Sequence, residues 1–116
     1  MEAEPLKILF IGNDRRFADD VADAIRKTGG TIEVSTFDNA ISTIEKNSFC
    51  AVLFEPAVQN AASLFQITSL AVQAPQLPVI VFGSASDETF AVEAVSAGAQ
   101  DFFPKEEFNA QRLDRQ

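Results

Sequence analysis

Short apolar runs alternate with segments whose apolar residues recur every three or four positions, and this alternation limits the chain to few folds. LKILFIG (6–12) is apolar and bounded by turn formers, which predicts a strand. Residues 15–28 place Phe17, Val21, Ala24, Ile25 and Thr28 at helical spacing with charges between them, and Gly29-Gly30 ends that helix. TIEVSTF (31–37) sets Ile32, Val34 and Thr36 against Glu33 and Ser35, a strand with one wetter face. Asp38 is the expected N-cap of a short helix carrying Ile41 and Ile44. An apolar strand follows at 50–54. A helix over about 61–74 then turns Leu64, Ile67, Leu70 and Ala71 inward, and Pro75 stops it. PVIVFG (78–83) is another apolar strand. Ser86 or Asp87 caps a fourth helix with Phe90, Ala91, Ala94 and Val95 on one face, closed by Gly98. QDFF (100–103) is a short last strand, and residues 106–115 have helical character.

A β-α unit repeated about five times implies a parallel sheet with helices on both faces, joined by right-handed crossovers. The runs starting at 6, 50 and 78 are apolar almost throughout, as suits strands covered on both sides. The whole chain of 116 residues fits one domain, read as the N-terminal part of a longer signalling protein because its last helix looks incomplete. Glu55 is the lone charge in CAVLFEPAV (50–58), and it follows a strand at the edge where open α/β sheets bind their ligands.

Composition removes several function classes. With 17 acids against 9 bases the formal charge is −8, which argues against direct contact with nucleic acid or an anionic membrane surface. No histidine is present, so His-based acid–base catalysis, Ser-His triads and most zinc sites are excluded, and no enzyme activity is expected. The single cysteine, Cys50, cannot form an internal disulfide and is expected to be a buried structural thiol. No stretch approaches the ~18 apolar residues that span a bilayer, and MEAEPLK lacks the basic start and apolar core of a secretory signal, so a cytoplasmic location is expected. GNDRR (12–16) is neither GxGxxG nor a P-loop.

PVIVFGSASDETFAVEAVSAGAQDFFPK (78–105) resembles the fourth strand, fourth helix, fifth strand and lysine loop of the receiver domain of two-component response regulators. AGA placed before an aromatic pair and Lys105 is its most specific part, and FCAVLFE resembles the third strand. The resemblance covers about residues 6–108. It implies a flavodoxin-like (βα)5 doubly wound sheet of five parallel strands in the order 2-1-3-4-5, and a role in phosphorelay signal transduction. In that family two acids after the first strand hold Mg²⁺ and an aspartate after the third accepts the phosphoryl group. A Thr or Ser after the fourth strand and a Lys after the fifth bind the phosphoryl oxygens, and an aromatic residue on the fifth changes rotamer.

Carried over, the acid pair falls on Gly12 and Asn13, with Asp14 next door. The acceptor falls on Glu55, the hydroxyl residue on Gly83 beside Ser84, the lysine on Lys105 and the aromatic on Phe102. Phosphoryl transfer depends on positioning and charge neutralisation, and Mg²⁺ is usually held by one or two carboxylates plus the phosphate. Without the acid pair, and with an acceptor one methylene too long, neither Mg²⁺ nor any other cofactor is expected. The expected function is a non-catalytic pseudo-receiver acting by protein–protein contact. Its partners would be proteins or a fused output domain, with self-association through the face of the fourth helix and fifth strand. The alternative is an atypical receiver that still switches by phosphorylation or by a small ligand in the altered pocket. Glu55 is expected to reach Lys105, either imitating a phosphoryl–lysine contact or forming an ion pair of little energetic weight. Phe103 is expected in the core. Phe102 either presents a binding surface beside the fourth helix or packs beneath it.

Overall fold

Ile8, Leu9, Phe10 and Ile11 are all buried, and this continuous apolar run forms the interior strand β1 (Lys7–Ile11). The computed structural model describes residues 7–57, 59–84 and 86–107. After β1 come α1 (Arg15–Lys27), β2 (Thr31–Ser35), α2 (Phe37–Lys46), β3 (Ala51–Phe54) and α3 (Ala61–Gln73). Then follow β4 (Val79–Gly83), α4 (Glu88–Ala97), β5 (Asp101–Pro104) and a 3-10 turn, Lys105–Glu107. The strands form one parallel sheet in the order β2-β1-β3-β4-β5, the expected flavodoxin-like arrangement. Most of the last predicted helix, 106–115, lies outside the described residues.

Period-2 alternation divides the core into two layers. Leu9, Ile11, Val52, Phe54, Val79 and Val81 point to one face, where α2, α3 and α4 bring Ala40, Ile67, Leu70, Phe90 and Ala94. Ile8, Phe10, Leu53 and Phe82 point to the other, under Phe17, Ala18 and Val21 of α1. Side chains cap the starts of α1, α3 and α4. Asp14 accepts from Phe17 N at 3.1 Å, Asn60 from Ala62 N at 3.0 Å and Asp87 from Phe90 N at 2.9 Å. Gly98 ends α4 at φ 128°, and a Cβ there would come 2.8 Å from the Ala71 Cβ, so both conformation and space demand glycine. Among the described residues no helix is long and apolar enough to cross a membrane.

Four local expectations are corrected. Val34 is 52% exposed rather than inward, because β2 is an edge strand, paired among the described residues to β1 alone. Thr36, not Asp38, is the N-cap of α2. Phe37 enters the helix and packs on Phe54 at 6.1 Å between ring centroids, which starts the helix earlier and leaves Asp38 inside its first turn. Cys50 is exposed: its backbone N–H joins the sheet through Lys7 O at 2.7 Å, one residue before β3, while its thiol faces out. Val95 is 48% exposed, since Phe90 and Ala94 fill the inner face of α4.

Candidate functional site

Parallel strands all end at one edge, so the loops after β1, β3, β4 and β5 meet there. This brings Gly12, Asn13, Asp14, Glu55, Gly83, Ser84 and Lys105 around one open cleft of about 920 Å³ and its rim. Its floor includes the apolar surfaces of Phe17, Pro56 and Phe82.

The chemical centre is a three-membered ion cluster. Lys105 Nζ binds Glu55 Oε2 and also lies 3.3 Å from Asp14 Oδ2. The ammonium stands 4.8 Å from the centroid of the Phe17 ring, adding a cation–π contact. The second oxygen of each carboxylate meets a different fate. Asp14 Oδ1 accepts from Phe17 N as the cap of α1. Glu55 Oε1 is buried and has no hydrogen-bond partner among the described residues. It lies beside Gly12, where a Cβ would come 3.0 Å from Oε1, 3.2 Å from the Glu55 Cβ and 2.8 Å from Phe10 Cε1. The bare backbone at 12 therefore houses the longer side chain at 55.

These surroundings set the charges. Burial pushes the Glu55 carboxyl up and Lys105 pulls it down; burial prevails, as the partnerless Oε1 leads one to expect. Burial by itself would lower the Lys105 ammonium, but the Glu55 and Asp14 carboxylates outweigh it and hold Lys105 above its ordinary value. The Phe17 backbone N–H, then Lys105, hold Asp14 below the usual carboxylate range.

Gln59 belongs to the cleft and was not singled out from the sequence. Its Oε1 accepts from Ser84 N at 2.6 Å and its Nε2 donates to Asp87 Oδ2 at 3.0 Å, tying the loop after β3 to the start of α4. Gly83 makes room for this: a Cβ there would overlap Gln59 Oε1 and come 2.8 Å from the Phe102 ring. A glutamine in an uncharged loop carries no sequence signal of such a role, although the missing side chain at 83 was visible. Ser84 Oγ lies 2.8 Å from Ser86 Oγ and donates to Glu106 Oε2 at 3.3 Å. Phe102 and Phe103, adjacent on β5, point to opposite faces of the sheet. Phe102 packs edge-on against Phe90 of α4 at 6.2 Å and Phe103 against Phe82 at 5.8 Å. Among the described residues no three His, Cys, Asp or Glu are grouped to hold a metal ion.

No family model matches the chain, and no curated protein matches it. Solved structures do. The receiver domain of NtrX from Brucella abortus superimposes with a TM-score of 0.79 at 25% identity, over 93% of this chain and 92% of that domain. The chain has the receiver-domain fold. NtrX itself, from the same organism, matches with a TM-score of 0.82 at 24% identity over 97% of this chain, which spans only 25% of NtrX. The beryllofluoride-activated NtrC4 receiver domain dimer matches at 0.78 with 17% identity, over 94% of this chain and 90% of that one.

Proposed function

We propose that this protein is a pseudo-receiver: a non-catalytic signal-transduction module that does not take up a phosphoryl group by the usual metal-assisted route and acts through protein contacts. The observation that carries this reading is the Lys105 ammonium bound at once by Glu55 and Asp14, so that the cation between the two carboxylates is the chain's own. Magnesium wants near-octahedral oxygen ligands at about 2.0–2.1 Å. The donors available do not fit it. Gly12 and Asn13 offer no carboxylate, both Asp14 oxygens are engaged, and Glu55 has one oxygen on Lys105 and the other buried. Without a divalent ion the charge of the transferring group goes largely uncompensated.

Output runs through α4 and β5. Gln59 links the Glu55 loop to Ser84 and Asp87, Asp87 caps α4, and Phe102 lies beneath α4 against Phe90. A protein partner, or an output segment fused downstream, reads the position of α4 with Phe102 behind it. That NtrX extends well beyond the part matched supports a longer parent protein.

The test is to treat the protein with a small phosphodonor and Mg²⁺ and weigh it intact. No adduct is expected; a stoichiometric phosphoryl adduct on Glu55 or Asp14 refutes the reading. A second reading, that a small ligand switches the domain from this cleft, has one observation in its favour: the partnerless Glu55 Oε1 close to an open pocket. Thermal shifts against metals and nucleotides test it, and a flat response to all of them removes it.

A further inference from the structure

Residues 56–86 contain no Asp, Glu, Lys or Arg, in a chain that has 17 acids and 9 bases. The stretch includes all of α3, alone among the four described helices in carrying no charge. The inner face of α3 is Ser63, Ile67 and Leu70. Its outer face is Ala61, Phe65, Thr68 and Val72, with Phe65 73% and Val72 70% exposed. Spacings of four, three and four make this the narrow stripe by which one helix packs along another. The Thr68 hydroxyl donates to Ala97 O at 2.8 Å and so is spent within the chain. Single exposed apolar residues are ordinary; an uncharged stripe of them along one helix marks an interaction surface.

We propose that this stripe is the contact between two copies of the chain, with α3 packed antiparallel on α3 about a two-fold axis between positions 66 and 67. In that register Phe65 meets Thr68 of the second copy and Val72 meets its Ala61, large against small throughout. This is the layering that antiparallel helices adopt when their seams alternate by three and four. Charge selects the occupant. At a net −8 most contacts between copies set acid against acid. The face of α4 and β5 is a case in point: its exposed Val92 and Val95 are flanked by Glu88, Glu93 and Asp101, also exposed. A basic partner would be drawn to such acidic faces and would leave α3 bare. Among the described helices, α3 is the one along which two copies can meet without apposed charge.

A 13-residue helix is about 20 Å long, so the interface falls at the small end of specific contacts and the dimer is weak, with a Kd on the order of 100 μM. Sedimentation equilibrium from about 10 μM to 1 mM should show reversible dimerisation of the wild-type chain. Phe65→Glu should weaken it at least about tenfold, and Val92→Glu less than about threefold. Both positions are exposed, so circular dichroism should find both variants folded. A chain monomeric at 1 mM, a folded Phe65→Glu variant that dimerises as before, or greater loss from Val92→Glu than from Phe65→Glu would each overturn the proposal.

Discussion

Glu55 is held in the charged cluster against its own burial, and this gives a pH signature with a definite sign. Its carboxyl titrates above the ordinary glutamate range, so between that range and the raised value the folded chain binds more protons than the unfolded chain. Stability contributed at this site is present at low pH and is lost as pH rises through the raised value. Asp14 works in the opposite sense, losing its contribution as pH falls through its lowered value. The stability of the wild type minus that of Glu55→Gln, from urea melts, should therefore fall as pH rises from the ordinary glutamate range through the raised value. A difference that grows with pH would mean that Lys105, not burial, governs Glu55. The fit between Gly12 and Glu55 predicts a coupling. Gly12→Ala should cost about 1–3 kcal/mol, since its Cβ would come 2.8 Å from Phe10 Cε1 and 3.0 Å from Glu55 Oε1. Paired with Glu55→Asp, which shortens the crowded side chain, that loss should shrink by about 1 kcal/mol. Strict additivity in the double-mutant cycle would show that the two positions do not share the space.

Among elements, α4 depends most visibly on one contact. Asp87 both caps it and receives the Gln59 amide, whereas Asp38 lies in the first turn of α2 without serving as its cap. Asp87→Ala should cost about 1–2 kcal/mol and speed hydrogen exchange at the start of α4, while Asp38→Ala should stay within about 0.5 kcal/mol. Equal losses would return the capping role to Asp38. The difference between these aspartates lies in packing: Phe37 is drawn onto Phe54 and starts its helix one residue before the acid, while Asp87 meets no such pull.

At the level of the whole molecule, net charge and the uncharged α3 stripe act against each other. Two chains of −8 repel at long range, and salt screens that repulsion over about 10 Å at 0.1 M. Self-association through an apolar seam should therefore strengthen, by about two- to fivefold, between about 50 and 500 mM NaCl in sedimentation runs. Weakening over that range would point to contact through ion pairs, at odds with α3.

The order of strands and helices was legible because apolar periodicity is local: β1, β3 and β4 announce themselves by continuous burial, and their parallel pairing follows from the helices between them. So was the gathering of residues 12–14, 55, 83–84 and 105, since parallel strands deliver their C-terminal ends to one edge. What filled that edge was decided in three dimensions. That Lys105 spans two carboxylates, that Glu55 Oε1 rests on Gly12, that Gln59 occupies the space left by Gly83 and that Cys50 and Val34 face outward all depend on neighbours tens of residues away. Sequence pattern records which side chains avoid water along a helix or strand; the reach of Glu55 to Lys105 was legible only through the family resemblance, and the share that Asp14 takes of the same ammonium was not legible at all.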